Sequence, residues 1–220
     1  MFNFNKEKLC KIQELLAEKV VRKLPDNFSL SKIAGFDISY DKKSNSAIAA
    51  AIIWDIENDT IIEKEFLYFQ ARFPYISGFL AFREMPSYYK LLKRLKVKPD
   101  LVLVDGHGIL HPRKLGLAAH LGVIIKIPTI GVAKSRFIGK ADFIPDEPGE
   151  YTLIRYENEI LGALLKPNRG KNIYVSIGNL IDLENAIKFV YSMIKSDKRL
   201  PEPLILADNL SRKKLEKGLV

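Results

Sequence analysis

One short apolar run stands out in the hydrophobic pattern of the chain, from Leu101 to Val104. A proline–aspartate pair precedes it, and Asp105 and Gly106 follow it. An uninterrupted run of this length is typical of a strand buried on both faces in the middle of a sheet. Because side chains alternate along a strand, Asp105 shares a face with Leu101 and Leu103. The pattern therefore predicts a central strand that ends on a carboxylate.

Three strands joined by short connections are predicted before this run. They are Ile33–Tyr40, Ser46–Ile56 and Ile61–Gln70, and a helix from Lys6 to Leu24 precedes them. Asn58 and Asp59 supply turn-forming residues between the second and third strands. The short connections predict an antiparallel meander. Alternation along the first strand places Asp37 on the same face as Gly35 and Ser39.

Helices and strands alternate over much of the remaining chain. A helix is predicted from Gly78 to Leu95, with a kink or a break at Pro86, because proline removes a backbone hydrogen bond inside a helix. The later elements are a helix through Leu117–Leu121, a strand Ile124–Val132 interrupted at Pro128, strands Tyr151–Tyr156, Glu159–Leu165 and Ile173–Ile177, and helices Leu183–Ile194 and Leu204–Leu215.

Acidic residues fall at three informative places: Asp37 on the first strand, Glu84 on the helix before the central strand, and Asp105 at the end of that strand. This is the layout of the ribonuclease H-like fold. That α/β fold has a mixed β-sheet, a three-strand antiparallel meander followed by parallel strands, flanked by helices, and its central acids hold divalent cations. The length of 220 residues suits a single domain, residues 1–220.

Composition adds the class of protein and a candidate partner. Hydrophobic residues make up 47% and charged residues 28%, as in ordinary soluble globular proteins. No apolar run approaches a membrane span and Met1–Lys6 lacks a secretion signal, so we expect a cytoplasmic location and no membrane contact. The single Cys10 excludes an internal disulfide. The net charge of +9 favours a nucleic-acid partner, although a generally lysine-rich proteome would give the same balance.

Several motifs, in matching order and spacing, resemble those of the endonuclease V family, the deoxyinosine-specific endonucleases. They are Ile33–Ser39, Phe73–Gly78 with Phe82–Glu84, Val104–Gly108 with His111–Arg113, Ile130–Ser135, and Leu200–Pro203 with Ala207–Asp208. The resemblance extends from the first helix almost to the C-terminus.

This resemblance implies a DNA repair endonuclease that depends on Mg²⁺, with Mn²⁺ as a substitute. Such an enzyme recognises deoxyinosine, whose base is hypoxanthine, in DNA. It hydrolyses the second phosphodiester bond on the 3′ side and leaves a 3′-hydroxyl and a 5′-phosphate. Some members of the family act on inosine in RNA instead, and the resemblance suggests a monomer.

The resemblance also implies catalytic roles for five residues. Asp37 and Asp105 would bind Mg²⁺ directly, because this small, hard cation prefers carboxylate oxygens. Glu84 would hold a second ion or the attacking water, and Lys134 would stabilise charge at the scissile phosphate. Asp208 would complete the acidic cluster, or it would cap the N-terminus of the last helix.

A second set of residues is implied in DNA recognition. Tyr75 would act as a wedge in the base stack, on a stiff turn with Pro74 and Ile76. Ser77 stands where relatives commonly have a second proline, so this turn is less rigid. The other implied DNA contacts are Arg83, His111 and Arg113, and the implied base pocket consists of Gly78, Leu80, Gly106 and Gly108. The simpler alternative is that these glycines only form turns.

The remaining histidines and basic residues allow more than one interpretation. His107 either contacts substrate or hydrogen-bonds an aspartate, His111 positions its loop or contacts a phosphate, and His120 is expected in the core. Candidates for a phosphate-binding groove are Arg113, Lys114, Arg136, Lys140, Arg169 and Lys171, each of which alone is by default a solvated side chain.

Simpler readings of the acids and the function also stay open. Asp37 and Asp105 can be turn-forming residues, Glu84 can be a surface acid paired with Lys90 or Arg83, and Lys134 can be a solvated charge. At the level of the whole chain, the alternatives are an inosine-specific ribonuclease, a nuclease selective for branches or flaps, and a catalytically silent nucleic-acid binding module on the same fold.

Overall fold

The computed structural model describes residues 5–41 and 43–218, and within them the chain forms five helices and nine strands. The helices are α1 (Lys6–Ala17), α2 (Leu80–Arg94), α3 (Leu117–Ile125), α4 (Leu183–Ser192) and α5 (Glu202–Glu216). The strands are β1 (Lys32–Tyr40), β2 (Ser46–Asp55), β3 (Thr60–Gln70), β4 (Leu101–Asp105), β5 (Thr129–Ala133), β6 (Lys140–Ala141), β7 (Tyr151–Tyr156), β8 (Glu159–Leu165) and β9 (Ile173–Asn179).

All nine strands lie in one mixed sheet, in the order β3-β2-β1-β4-β5-β9-β8-β7-β6. The central strand β4 is parallel to β1 and β5, whereas the other neighbouring pairs are antiparallel. The predicted meander is therefore confirmed, and so is the central, buried position of β4, whose first four residues are all buried. The fold class predicted from the sequence is correct.

Helices cover both faces of the sheet, as the alternation in β4 requires. Val102 and Val104 belong to an apolar cluster with Tyr88 and Leu91 of α2. The opposite face of β4, with Leu103, joins a second cluster that includes Leu204 of α5. Burial on both sides fixes the register of the strand, because a slip of one residue would turn Asp105 to the other face.

The first helix is shorter than predicted and ends at Ala17 rather than Leu24. Beyond its end the chain turns toward β9, where the Val21 N–H donates a hydrogen bond to Asn179 Oδ1 at 2.9 Å. This tertiary hydrogen bond takes the place of the bond that the Val21 N–H would donate to the Ala17 carbonyl if the helix continued. The absence of a secretion signal was predicted for Met1–Lys6, of which residues 1–4 lie outside the described residues.

The predicted strand Ile124–Val132 was wrong in its first half. Helix α3 continues through Ile125 and ends at Lys126, whose φ of +57° is left-handed, and β5 begins only at Thr129. A run of apolar, β-branched residues does not distinguish a buried helix end from a strand by periodicity. The short strand β6 was not among the elements predicted from the sequence.

Helix α2 starts later than predicted and does not break. Gly78 has φ +81°, which excludes it from a helix, and the helix begins at Leu80. It continues through Pro86 as one element of 15 residues. Ala81, Tyr88 and Leu91, on both sides of the proline, are buried in the same cluster, so both halves of the helix pack against the same part of the core. Within the described residues, no helix combines the length and apolarity that crossing a membrane requires.

Candidate active site and nucleic-acid interface

Two of the predicted acids meet at the carboxyl end of the central parallel strands. Phe36 of β1 pairs with Val104 of β4, and the next residue on each strand is an aspartate, Asp37 and Asp105. Both line one cavity of about 330 Å³. Asp37 and Asp105 are 68 positions apart in the chain (105 − 37), and the parallel pairing of their two strands brings them together.

Helix α5 adds a third carboxylate, Asp208, to the lining of the same cavity. The helix can approach β1 closely because Gly35 has no side chain: a Cβ there would lie 2.3 Å from the Pro203 carbonyl carbon. One turn beyond Asp208, the buried Ser211 Oγ lies 3.2 Å from Asp37 Oδ2. Asp208 lies in the middle of α5, so the alternative that it caps the helix N-terminus is wrong. Its Oδ1 accepts a hydrogen bond from Arg212 Nε at 2.8 Å.

Glu84 approaches the acids from helix α2, on the other face of the sheet. It is only 6% exposed, and its Oε1 accepts a hydrogen bond from the Tyr40 hydroxyl at 2.9 Å. The Arg83 guanidinium lies over the Tyr40 ring, 4.5 Å from its centroid, and donates to the Phe73 carbonyl. The alternative of a surface acid paired with Lys90 or Arg83 is therefore wrong, because Glu84 is buried and bonded to a tyrosine.

Burial and mutual repulsion make these acids hard to ionise. Burial, followed by the charges of Asp105 and Asp208, raises the pKa of Asp37 to about 7. Burial raises the pKa of Glu84 to about 8, against the hydrogen bond from Tyr40, and the charges of Asp37 and Asp105 raise it further. Carboxyls in this state favour either a proton or a cation between them.

Lys134 is the cation that the protein itself supplies. It follows β5, where Val132 pairs with Asp105, and its ammonium forms an ion pair with Asp105 Oδ2. Burial alone would lower the pKa of Lys134, but Asp105, Asp37 and Asp208 raise it above its ordinary value. Lys134 is therefore a charged side chain paired with Asp105, although 39% of it is exposed to solvent.

The donors around this cavity suit a hard divalent cation. All three carboxylates are oxygen ligands, which Mg²⁺ prefers, and Mg²⁺ commonly uses only one or two of them and keeps several waters. No group of three Asp, Glu, His or Cys side chains in the described ranges already converges tightly enough to enclose an ion. The buried Asp37 and the half-buried Asp105 follow paired residues on adjacent strands, and both line the cavity.

A second cavity, of about 410 Å³, adjoins the acids and shares Asp105 and Lys134 with them. Of the predicted base pocket, Gly78, Leu80 and Gly106 line it. Gly108 does not line it. A Cβ at Gly108 would lie 1.9 Å from the Ile177 carbonyl oxygen, so this glycine permits close packing of the loop on β9. Its assignment to the pocket is corrected accordingly.

The predicted wedge stands at the mouth of this second cavity. Tyr75 lines it and is 73% exposed, which is unusual for a large aromatic side chain. Pro74 beside it is exposed and Ile76 is half-buried. The structure therefore presents a tyrosine ring to solvent directly beside a cavity that has room for a base.

Three side chains from distant parts of the chain clamp the carbonyl that ends this turn. Gly78 O accepts hydrogen bonds from Gln13 Nε2 at 3.0 Å, His111 Nε2 at 3.1 Å and Arg113 Nη2 at 3.0 Å. Arg113 Nε also donates to Gln13 Oε1 at 2.7 Å. His111 and Arg113, predicted to contact DNA, both hold this loop, which supports the positioning role considered for His111, and His111 also lines the second cavity.

Gln13 is the residue that sequence reasoning missed. It lies on the first helix, is 1% exposed, and donates to the Leu115 carbonyl at 3.1 Å as well as to Gly78. The only signal in the sequence was a polar residue beside the apolar face of α1, next to Ile12 and two positions before Leu15. Such a position does not identify which carbonyls it will meet.

The other two histidines differ in their surroundings. His107 lines the second cavity, its Nε2 lies 3.1 Å from the Ser135 carbonyl oxygen, and its ring stacks on Phe137. Burial lowers its pKa to about 4, so the ring is neutral. His120 lies in the core as predicted, with its ring edge-on to Phe82. Within the described part of the chain, Nδ1 of His107 and Nδ1 of His120 lack a hydrogen-bond partner.

The family model of endonuclease V matches residues 14–209, which is most of the chain and includes Asp37, Glu84, Asp105 and Asp208. The chain belongs to the endonuclease V family. Its members are nucleases, so the chain is assigned to the nucleic-acid-cleaving enzymes rather than to binding modules.

Individual relatives agree along nearly their whole lengths. The endonuclease V of Rippkaea orientalis is 42% identical over 205 residues, covering 92% of this chain and 88% of the relative. Among solved structures, the Bacillus subtilis endonuclease V superposes with a TM-score of 0.89 at 32% identity, over 99% of this chain and 96% of the other.

A third relative was solved with nucleic acid. The endonuclease V of Ciona intestinalis, in complex with a 24mer DNA containing an inosine followed by a ribo-adenosine, superposes with a TM-score of 0.84 at 30% identity, over 96% of this chain and 98% of the other. That endonuclease V therefore binds inosine-containing DNA.

Proposed function

We propose that this protein is a Mg²⁺-dependent endonuclease that recognises deoxyinosine in DNA and cuts the second phosphodiester bond on its 3′ side. The observation that carries the proposal is the pair of adjoining cavities, one acidic and one with room for a base, which share Asp105 and Lys134. A base held in the larger cavity would place the strand that carries it across the acidic cavity.

The acids and the lysine would have different roles at the scissile phosphate. Asp37 and Asp105, with Asp208 beside them, would hold Mg²⁺, which when bound stabilises charge on the phosphate and lowers the pKa of water. Lys134 directs its ammonium at the same space and stabilises negative charge on a phosphate oxygen. Glu84, whose pKa lies at about 8, is poised to hold or accept a proton at neutral pH.

The second cavity would receive the hypoxanthine after it leaves the base stack. Leu80 and Leu117 give it apolar walls, and Gly78 and Gly106 bring backbone groups to its surface. Tyr75 at the mouth would fill the gap that the rotated nucleotide leaves in the stack. The complex of the Ciona intestinalis enzyme with inosine-containing DNA supports this substrate class.

Cutting of end-labelled duplexes tests the proposal, with the break mapped to the nucleotide. A duplex with one deoxyinosine is compared with an undamaged, a mismatched and a flap duplex, each with Mg²⁺, Mn²⁺ or a chelator. We expect one nick, one nucleotide beyond the inosine on its 3′ side, only with a divalent cation. Equal cutting of the inosine duplex in chelator, or preferred cutting of the flap, would overturn the proposal.

Inosine in RNA is a second candidate substrate, because the Ciona intestinalis complex carries a ribo-adenosine after its inosine. The same assay therefore includes an inosine-containing RNA and a DNA strand with a single ribonucleotide after the inosine. A rate on RNA higher than the rate on DNA would identify the protein as an inosine-directed ribonuclease.

A further inference from the structure

A third cavity adjoins the base cavity. It measures about 380 Å³ and lies where the loop after β5 meets strands β6 and β7. It shares Arg136 and Phe137 with the base cavity, just as the base cavity shares Asp105 and Lys134 with the acidic one. The three cavities therefore form one continuous track, with the base cavity in the middle.

The charge of this third cavity is opposite to that of the first. Arg136, Lys140 and Arg155 line it against a single acid, Glu157. The antiparallel pairing of β6 with β7 sets Lys140 directly opposite Arg155, so their side chains lie next to each other. Like charges placed together on a surface attract a polyanion. We call the cavity lined by these residues the basic cleft.

These cations are largely free to bind an external anion. Within the described residues, neither Arg136 nor Lys140 forms an ion pair. Arg155 lies 3.6 Å from the Asp142 carboxylate, but both side chains are about half exposed, so water competes with this contact. Of the other basic candidates, Lys114 is already paired with Glu159 and does not line the cleft.

We propose that the basic cleft binds the phosphates on the 5′ side of the inosine, in the strand that is cut. This inference rests on the proposed function. With the base in the middle cavity and the cut on its 3′ side, the 3′ part of the strand crosses the acids. The 5′ part must then leave at the other end of the track, past Phe137 and between the cations of the basic cleft.

Neutral phosphate analogues test this inference. Single-stranded deoxyinosine oligonucleotides carry methylphosphonate linkages at the first three positions either 5′ or 3′ of the inosine, and Kd is measured in chelator so that nothing is cut. The variants are Lys140→Ala and Arg155→Ala. Lys98→Ala is the matched control, because this exposed lysine precedes β4 at the opposite end of that strand from Asp105.

We expect the wild type and Lys98→Ala to lose affinity for the oligonucleotide with neutral 5′ linkages, whereas each cleft variant loses less, because one of the cations that contact those linkages is already missing. Each variant should also reduce the slope of log Kd against log salt concentration by about one. Cleft variants that respond to the 5′ linkages as the wild type does would overturn the inference, and so would variants that lose only the response to 3′ linkages. Failure of the proposed function gives a different result, namely equal Kd values of the wild type for the all-phosphate deoxyinosine strand and for the same strand with deoxyguanosine in place of deoxyinosine.

Discussion

Asp37 is a carboxyl group whose surroundings disfavour its ionised form. It is 6% exposed, beside two other carboxylates, and one of its oxygens has a serine hydroxyl as neighbour. Such a group is costly to ionise without a cation, which is the property that a binding site for a divalent cation needs. Because the pKa of Asp37 is raised to about 7, the stability of the folded protein should depend on pH.

The stability of the metal-free protein should fall as the pH rises from about 4 to about 8. Asp37 keeps its proton in the folded state up to about pH 7, whereas the unfolded chain releases it near 3.8, so folding takes up a proton in this window. Asp37→Asn removes this dependence and should stabilise the metal-free protein at pH 8, by on the order of 2 kcal/mol. The pH dependence of stability that remains in this variant comes from Glu84, whose pKa is also raised.

Thermal unfolding in chelator across this pH range measures the effect. Asp26→Asn is the control, because Asp26 is exposed and forms only a surface pair with Lys23. A fall of Tm with pH as steep in Asp37→Asn as in the wild type would contradict this assignment of the proton.

Single residues were predictable where a simple geometric rule applied. Alternation along β1 and β4, together with their parallel pairing, suffices to bring Asp37 and Asp105 together. The position of Asp208 required the close packing of α5 at Gly35, and the role of Gln13 required the folded loop. Those two depend on contacts between elements far apart in the sequence, which no local pattern encodes.

At the scale of elements, the clamp on the Gly78 carbonyl is the most informative feature. Gln13, His111 and Arg113 come from three parts of the chain and hold the end of the turn that carries Tyr75. A ring that must enter a base stack needs a fixed support, because ordering a mobile loop on binding costs affinity. Gln13, which also lines the base cavity, would let the first helix support recognition in the proposed function.

Gln13→Leu should weaken this support while keeping the volume of the side chain. The Gly78 and Leu115 carbonyls and the Arg113 Nε–H then lose a partner, at a cost of about 1–3 kcal/mol in stability. We expect KM for inosine DNA to rise about tenfold with a smaller change in kcat, and faster hydrogen exchange over residues 73–79. Glu14→Ala, an exposed neighbour on the same helix, is the control.

A purely structural role for Gln13 would give another result. Stability would fall, yet KM measured well below the melting temperature would stay at the wild-type value, and exchange would increase throughout the chain rather than in the turn.

Gly35→Ala tests the contact that brings α5 to the acids. The new Cβ would lie 2.3 Å from the Pro203 carbonyl carbon, so the helix must shift. We expect a loss of about 1–3 kcal/mol in stability and slower nicking, since Asp208 and Ser211 move away from Asp37. In Gly218→Ala, the control, the Cβ meets nothing within 4 Å, and the φ of +67° adds only a local backbone strain after the end of α5. Wild-type stability and nicking in Gly35→Ala would show that α5 has no positioning role.

Most elements were predictable because their hydrophobic periods are clear, and the exceptions have tertiary causes. The end of α1 is set by the bond from Val21 to Asn179, which is distant in sequence. The segment from Ile124 to Pro128 is a short run of isoleucines broken only by Lys126, so no period distinguishes helix from strand. Pro86 was expected to disrupt α2, but burial on both sides of it maintains one helix.

At the scale of the whole molecule, charge is arranged along the track rather than spread evenly. The net charge of +9 attracts nucleic acid in general, whereas the acidic cavity and the basic cleft at opposite ends of the base cavity give it a direction. The sequence predicted the net charge and several of the basic residues. It did not predict their order along a track, which follows from the way β5, β6 and β7 are placed in the sheet.

Salt should therefore change affinity without changing selectivity. Raising the salt concentration from about 50 to about 200 mM should weaken binding to inosine DNA and to undamaged DNA by the same factor, at least roughly tenfold, because phosphate contacts do not depend on sequence. Fluorescence anisotropy with the two duplexes measures this. A ratio of the two Kd values that falls with salt would show that inosine recognition itself is electrostatic.

In the proposed function, Asp37 and Asp105 form the cation site at which the strand is cut beside a bound inosine. The most direct measurement is the single-turnover nicking rate of an inosine duplex in Mg²⁺ for Asp37→Asn, Asp105→Asn and the control Asp26→Asn, with Kd measured for each. We predict rates lower by on the order of 10²- to 10³-fold for the first two, with Kd no weaker than that of the wild type. Wild-type nicking by either of these two variants would contradict the claim.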